Sequence, residues 1–146
     1  MRDTFMIRLH GFLDNKKDTG ILLLRILIGW RLIDGTWDNI VSWDRMVEFS
    51  NFLSQHNVPY AIVAANVSVY AQFLCGVLYT VGFLFRPSAF IMIINFVVAF
   101  FVVHLGTTFQ QSFEVLTMLF TSVLFLLLGP GKISFATYLE RNSRRL

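Results

Sequence analysis

Four long apolar segments dominate the sequence and restrict the folds it can form. They run at about 20–37, 60–85, 87–105 and 112–129. Crossing about 30 Å of hydrocarbon takes about 20 residues of α-helix, so each segment approaches or exceeds the length of a membrane span. Inside hydrocarbon the backbone must satisfy its own hydrogen bonds, and no segment shows the alternation of a barrel strand. The sequence therefore predicts an all-α integral membrane protein with four transmembrane helices in a compact bundle.

The composition agrees with a membrane protein of a single domain. Of the 146 residues, 55% are hydrophobic and 14% are charged, whereas about a quarter of the residues in a soluble domain are charged. No linker, low-complexity tract or soluble module is visible outside the apolar segments, so residues 1–146 are expected to form one membrane domain. The net charge of +3 does not indicate nucleic-acid binding, because the basic residues flank the apolar segments.

The distribution of Lys and Arg predicts the orientation of the bundle. Nine of these residues flank the segments on one side, and only Arg45 lies on the other. The nine are Arg2, Arg8, Lys16, Lys17, Arg86, Lys132, Arg141, Arg144 and Arg145. Because cytoplasmic loops are enriched in Lys and Arg, both termini and the turn at 86–87 are expected in the cytoplasm.

Two shorter stretches have an amphipathic pattern. At about 100° per residue, five apolar residues of the connection between the first two segments fall within one arc. These residues are Trp43, Met46, Val47, Phe49 and Leu53. The pattern predicts an interfacial helix at about 42–56 that lies on the outer membrane surface or caps the bundle. The N-terminal stretch 5–13 fits either a short surface helix or a solvated tail.

The first apolar segment carries three charged residues within "LLLRILIGWRLIDG". A charge at mid-membrane costs about 3 kcal/mol or more, so each is expected to face a partner, a cavity or headgroups. Arg25 lies close enough to the cytoplasmic end of the segment for its side chain to reach the headgroups there. It is therefore expected to be a structural charge anchor that lysine could replace. Arg31 and Asp34 lie one turn apart in the outer half and can pair. Glu114 enters the membrane from the same side at a similar depth, so we expect Arg31 to be held by Asp34, Glu114 or both. Arg31 fits equally well with a side chain that extends outward to headgroups.

Polar residues of the other segments converge on the same outer half. His104 ends the third segment, Glu114 begins the fourth, and Gln72 belongs to a stripe of small and polar residues on the second. We therefore predict a ligand-binding polar pocket near the outer face, lined by Arg31, Asp34, Gln72, His104 and Glu114. In the alternative, His104 and Glu114 are interfacial end residues that belong to no site.

No catalytic or metal-binding motif is apparent in the sequence. Cys75 is the single cysteine, which excludes an intrachain disulfide and a thiolate metal cage. The histidines at 10, 56 and 104 do not have the spacing of metal ligands, so no metal site is expected. There is also no nucleophile motif and no nucleotide-binding loop.

The ordered segments resemble one family of bacterial membrane proteins. The similar stretches are "LLLRILIGW", "GVLYTVGFLFRPSAF", "VVHLG" and "FEVLTMLFTSVLFLLLGPGKISF", which together cover about residues 20–135. They resemble DoxX-like proteins, which are four-helix proteins of bacterial inner membranes related to the large subunit of a thiosulfate:quinone oxidoreductase. Arg25 and Gly29 match the family's first-helix arginine and glycine. The chain departs from the pattern at Gln72, where a glutamate is common, and at 134–136, where serine-x-aspartate is usual.

The resemblance implies two competing functions. The first, which the sequence favours, is a non-catalytic anchor or stabiliser in a larger inner-membrane complex, such as a respiratory or redox complex. The second is a quinone-interacting oxidoreductase subunit, in which His104 and Glu114 transfer protons in the outer pocket. Both imply contact with the bilayer and with other membrane subunits, and no cofactor in this chain other than a bound quinone or lipid. A small solute carrier is disfavoured because no inverted repeat is visible.

Overall fold

A computed structural model describes residues 16–143, which form six α-helices and one π-helical turn. The helices are α1 (Lys17–Val41), α2 (Trp43–Gln55), α3 (Ala61–Val81), α4 (Phe85–Ala99), α5 (Phe109–Leu128) and α6 (Phe135–Ser143). The π-helical turn Phe100–His104 continues α4. These residues contain no strand, so the predicted all-α class is confirmed for the described part of the chain. The predicted surface helix at 5–13 lies outside the described residues.

Three of the helical segments are long and apolar enough to cross a membrane. They are Ala61–Val81, Phe85–His104 and Phe109–Leu128. Helix α1 is longer, at 25 residues, but six of its residues are charged, which separates it from the other three. The chain is thus an all-α membrane protein with three spans identified by length and composition. The role of α1 as a fourth span stays a prediction.

The helix ends follow local backbone chemistry more closely than hydropathy. The second apolar segment continues to residue 85, whereas α3 ends at Val81 because Gly82 adopts a φ of +74°. In this left-handed conformation the Gly82 N–H bonds to the Leu78 carbonyl at 2.8 Å. Helix α5 begins at Phe109, before the predicted residue 112, because Thr108 and Gln111 form a capping box. Helix α6 is short and amphipathic, and hydropathy does not identify it.

Helices α1 and α3 are antiparallel and pack at a point where both lack side chains. A Cβ at Gly29 would lie 2.7 Å from the Gly76 carbonyl oxygen, and a Cβ at Gly76 would lie 2.9 Å from the Gly29 carbonyl oxygen. The two backbones therefore approach more closely than larger residues would allow, as is common in membrane bundles. Nearer the end of α1, Trp37 contacts Phe73 with ring centroids 6.2 Å apart.

Tyr79 is the centre of the main hydrophobic core. Its side chain is fully buried, and its ring packs against Phe85 at 5.3 Å and edge-on against Phe125 at 5.0 Å between centroids. The Tyr79 hydroxyl donates a hydrogen bond to the Ser122 Oγ at 3.2 Å, which satisfies the polar end of a buried aromatic residue. These contacts join α3, α4 and α5.

Helix α2 confirms the amphipathic helix predicted at about 42–56. It packs against α3, with Met46 and Leu53 in one buried cluster with Ala65 and Val69. The contacts correspond to a helix that caps the bundle, one of the two predicted arrangements. Trp43 is the exception within the predicted apolar arc, because its side chain is mostly exposed.

The two ends of the bundle contain different segments. The terminal end comprises the start of α1, the α3–α4 turn at 82–84 and the α5–α6 connection at 129–134. The connector end comprises the α1–α2 junction at Ser42, the start of α3 and the α4–α5 link at 105–108. Arg25 contacts the terminal end, and Arg31 lies nearer the connector end.

Candidate functional site

A cavity of about 630 Å³ lies toward the connector end of the bundle. Residues of α1 to α5 and of the π-helical turn line it, and most of them are apolar. Its polar lining residues are Arg31, Ser68, Gln72, Asn95, His104 and Glu114. The structure thus brings together four of the five residues predicted for the outer pocket. A cavity of about 300–1,000 Å³ with apolar walls and a few polar groups is typical of a small-molecule site.

Arg31 forms an ion pair with Glu114 across the cavity. The Arg31 Nη2 donates to the Glu114 Oε1, which links α1 to α5. The two side chains remain 44% and 58% exposed, so the pair is not sealed in the core. This pairing replaces the alternative in which Arg31 extends outward to headgroups. Because the guanidinium has five N–H donors, it retains donors for a second partner.

Asp34 is the predicted pocket residue that the structure places elsewhere. It does not line the cavity, and no ion pair to it occurs within residues 16–143. Of the two predicted partners of Arg31, the structure shows Glu114 and not Asp34. Gly35 is the physical reason, because a Cβ there would overlap the Arg31 guanidinium. The guanidinium of Arg31 lies over this glycine and pairs with Glu114.

A short chain of hydrogen bonds joins α3 to α4 in the cavity wall. The Gln72 Nε2 donates to the Ser68 Oγ at 3.0 Å, and the Ser68 Oγ donates to the Asn95 Oδ1 at 2.9 Å. The amide nitrogen of Asn95 has no hydrogen-bond partner within residues 16–143, so it is a donor available to a ligand. Asn95 was not among the residues predicted for the pocket. The signal that could have identified it is a single amide within the apolar run "IMIINFVVAF".

His104 reaches the cavity from the last position of the π-helical turn. Its Nδ1 lies 3.3 Å from the Ala99 carbonyl oxygen, five residues earlier, and the side chain is partly buried. A proton on Nδ1 makes this contact a hydrogen bond and leaves Nε2 as an acceptor. The wider π-helical turn thus places an imidazole where a regular helix would place another residue.

The apolar lining of the cavity reaches the outer surface of two helices, and we call this part of the cavity its mouth. Four of its apolar lining residues are also exposed on the outer surface of α3 and α4: Val67, Ile91, Ile94 and Val98. These two helices are candidate membrane spans, so the surface around the mouth is one that a bilayer would cover with acyl chains. A lipid-soluble molecule could therefore enter sideways from the membrane.

Arg25, at the terminal end, is buried and forms no part of the cavity. Its exposed fraction is 1%, and its guanidinium donates four hydrogen bonds to main-chain carbonyls. The acceptors are the carbonyl oxygens of Tyr79, Thr80, Pro130 and Ile133, at 3.0, 3.1, 2.7 and 2.8 Å. The side chain also lies over the Phe85 ring, 5.4 Å from its centroid. The prediction that the Arg25 side chain extends to cytoplasmic headgroups is therefore wrong, because its guanidinium is buried and bonded to carbonyls inside the protein.

The partners of Arg25 explain why an arginine is needed there. Helix α3 ends at Val81, so the carbonyls of Tyr79 and Thr80 lack the donors that a longer helix would supply. A cation at the carboxyl end of a helix also interacts favourably with the helix dipole. A Cβ at Gly82 would overlap the guanidinium, so this glycine both ends α3 and leaves space for Arg25.

The sequence profile of the DoxX family matches residues 20–105, more than half of the chain. The chain belongs to the DoxX family. No curated protein matches it at a significant level, and no solved structure does either. The matched region runs from α1 through the π-helical turn and includes Arg25, Arg31, Gln72, Asn95 and His104. Glu114, the partner of Arg31 in this DoxX protein, lies beyond the matched region.

Proposed function

We propose that this DoxX protein binds an amphipathic, lipid-soluble ligand of the isoprenoid quinone class in the cavity near the connector end. The observation that carries the proposal is the cavity of about 630 Å³, with apolar walls, polar groups on several sides and a mouth between two candidate spans. The head of a quinone carries two carbonyl oxygens, which accept hydrogen bonds. Arg31 and Asn95 have free N–H donors that would hold such acceptors, and an isoprenoid tail would pass through the apolar mouth.

His104 and Glu114 would hold protons beside the bound head. A quinone takes up two protons when it is reduced by two electrons, and a carboxylate and an imidazole can each accept and release a proton. Both residues line the cavity. An ion pair with Arg31 holds the Glu114 side chain, and a contact with the Ala99 carbonyl holds the His104 ring. The electrons would come from another protein of the membrane.

The proposal places the protein in a bacterial inner membrane, with α1 as a fourth span and both termini in the cytoplasm. One observation supports α1 as a span, and another supports the orientation. Helix α1 lies along the candidate span α3, from the Arg25 hydrogen bonds to the Trp37–Phe73 contact. In addition, Arg86, Lys132 and Arg141 lie on the side of the terminal end, which fits the enrichment of basic residues in cytoplasmic segments.

Labelling of introduced cysteines tests this orientation. The variants Ser42→Cys and Ser143→Cys are made in a Cys75→Ser background and treated with a membrane-impermeant thiol reagent in inside-out inner-membrane vesicles. We expect reaction at position 143 and none at position 42, with the reverse pattern in intact spheroplasts. Reaction at position 42 alone in inside-out vesicles would show that the orientation is inverted.

A second candidate function is that of a non-catalytic anchor or stabiliser in a larger membrane complex, respiratory or redox. One observation favours it. Asp34 is exposed on the outward side of α1, away from the cavity, as expected for a residue that meets another subunit. The two functions are compatible, because Asp34 does not line the cavity.

Retention of quinone by the purified protein tests the main proposal. The protein is purified in mild detergent, and extracted quinone and phospholipid are measured by mass spectrometry per mole of protein. We expect bound quinone in the wild type, and a loss of about tenfold, equivalent to about 1.4 kcal/mol, in Arg31→Leu and Asn95→Leu. Matched controls are Arg45→Leu, an arginine paired with Glu48 on α2, and Asn66→Leu, an amide bonded to the Ile62 carbonyl.

Two results would contradict the quinone proposal. In one, the wild type holds no quinone and binds none when a short-chain quinone is added. In the other, the controls lose as much quinone as the cavity variants, which would show that the ligand lies on the outer surface. Retention of a phospholipid that added quinone does not displace would assign the cavity to a lipid instead.

A further inference from the structure

The outward side of α1 carries a regular stripe of exposed side chains with a carboxylate near its centre. The stripe consists of Leu23, Leu27, Trp30, Asp34, Trp37 and Val41, and its five apolar members are 51–67% exposed. Its members are spaced alternately by four and three residues, which is the spacing of a seam between two helices. At about 100° per residue they all lie within about 60° of Asp34, whereas the buried Arg25, Ile28 and Leu32 lie on the opposite side.

Asp34 lies at a depth where a membrane span would be surrounded by hydrocarbon. On one side of it along α1, Gly29 packs against Gly76, and on the other side Trp37 contacts Phe73. Asp34 is therefore level with the interior of α3, which is a candidate membrane span. An aspartate at the centre of a membrane helix costs about 2.5–3.5 kcal/mol when it faces lipid. No ion pair to Asp34 occurs within residues 16–143.

We propose that this stripe is the docking surface for a membrane helix of another protein, and that this helix carries a Lys or Arg opposite Asp34. Charged residues inside membranes pair with one another, so the carboxylate indicates the sign of the charge on its partner. The flanking Leu and Trp side chains would supply the apolar contact. The inference is independent of the proposed quinone site, because Asp34 does not line the cavity.

Neither lipid nor a second copy of the chain suits this surface. Acyl chains would cover the Leu and Trp side chains, but they offer nothing to the carboxylate. In a symmetric pair, a two-fold axis along the membrane normal would bring two Asp34 carboxylates together at the same depth. Two like charges at close range oppose each other and disfavour such a pair.

Photocrosslinking from the stripe tests where the partner lies. A photoreactive amino acid is placed at Trp30 or Val41 on the stripe and, as a control, at Phe90, an exposed residue of α4. We expect cross-links from the two stripe positions, in native membranes, to a hydrophobic segment of another protein that contains a Lys or Arg. We expect no such cross-link from Phe90. Cross-links only to lipid, to a second copy, or to residues 1–15 of the same chain would overturn the proposal.

A charge exchange tests the chemistry of the contact. Asp34→Asn retains the shape of the side chain and removes its charge, and we expect the cross-link yield to fall about tenfold or more. Asp44→Asn, an exposed acid on α2, is the control and should leave the yield unchanged. Asp34→Arg combined with Asp at the mapped basic residue of the partner should restore the yield. Failure of this exchange in a variant that unfolds at the wild-type temperature, or an equal loss in Asp44→Asn, would overturn the proposal.

Discussion

Arg25 and Arg31 belong to the same helix and are less than two turns apart, yet the protein binds them in opposite ways. Arg25 is 1% exposed and donates to four main-chain carbonyls. Arg31 is 44% exposed and pairs with a single carboxylate at the edge of a cavity. The first guanidinium uses four of its five N–H donors on the backbone and is buried outside the cavity, whereas the second has several donors available to a ligand. The comparison shows that the number and kind of acceptors, and not the residue type, separate a structural arginine from one available for binding.

The two arginines also differ in what fixes their side chains. The acceptors of Arg25 are backbone atoms at the end of α3 and after α5, and they cannot move without a change in the fold. The acceptor of Arg31 is the flexible side chain of Glu114. Substitutions should therefore affect stability at Arg25 and ligand retention at Arg31.

The largest effect is expected for Arg25→Lys. An ammonium group has three donors at one point and cannot reach carbonyls that a planar guanidinium contacts in several directions. Because hydrogen bonds to charged groups contribute about 1.5–3 kcal/mol each, the loss should amount to about 3 kcal/mol or more of unfolding free energy. Thermal unfolding in detergent measures it, with Arg45→Lys as the control. A wild-type melting temperature in Arg25→Lys would restore the interpretation of Arg25 as a headgroup anchor.

The next largest effect is expected for Gly82→Ala. The φ of +74° disfavours any side chain by about 1–2 kcal/mol, and the added Cβ would also displace the Arg25 guanidinium. Gly106→Ala is a matched control, since Gly106 has a φ of +87° but open space around the position of a Cβ. We expect Gly82→Ala to lower the melting temperature clearly more than Gly106→Ala. Equal shifts would mean that the Arg25 site tolerates displacement.

A smaller effect on stability is expected for Arg31→Leu. An ion pair that is about half exposed contributes about 1 kcal/mol or less, so the melting temperature should fall only slightly. Quinone retention should nevertheless fall strongly, whereas substitution of Arg25 is expected to act mainly on stability. The double variant Arg31→Leu with Glu114→Gln should be at least as stable as Arg31→Leu alone, because it leaves no unpaired carboxylate. A double variant less stable than either single one would show that the two residues act separately.

The smallest effect on stability is expected for Gly35→Ala. Alanine favours the helix by about 1 kcal/mol over glycine, and the displaced group is the flexible end of the Arg31 side chain. These two terms oppose each other, so thermal unfolding should change little. Quinone retention should decrease, because the guanidinium is pushed from its position over Gly35. Unchanged retention would show that the position of Arg31 over this glycine is not needed for binding.

The membrane fold and most of the cavity could be predicted because both are encoded in local patterns. Apolar segments reveal spans, and polar residues near the same ends of successive spans must converge, which identified Arg31, Gln72, His104 and Glu114. The partners of Arg25 could not be predicted in this way. They are backbone carbonyls 54 to 108 residues away, and carbonyls are present at every position of every sequence.

The location of Asp34 outside the cavity and the role of Asn95 could not be predicted for a different reason. Helical spacing places Asp34 near Arg31, but the side-chain direction of Arg31 depends on Gly35 and on the position of α5. Asn95 contributes through Ser68, on a neighbouring helix, and the register between α3 and α4 is not encoded in the pattern of either one. The packing between helices therefore decides both the direction of the Arg31 side chain and the contact of Asn95 with Ser68.

The hydrogen bonds of Arg25 also have a consequence for how the protein is made. Two of its four acceptors, the carbonyls of Pro130 and Ile133, follow it by 105 and 108 residues. At a synthesis rate of about 5–20 residues per second, the ribosome reaches them roughly 5 to 20 s after Arg25. During that interval the first helix holds a cation whose partners are incomplete. A nascent chain that stops after α5 would retain this defect, so the segment after the last long helix completes the attachment of the first.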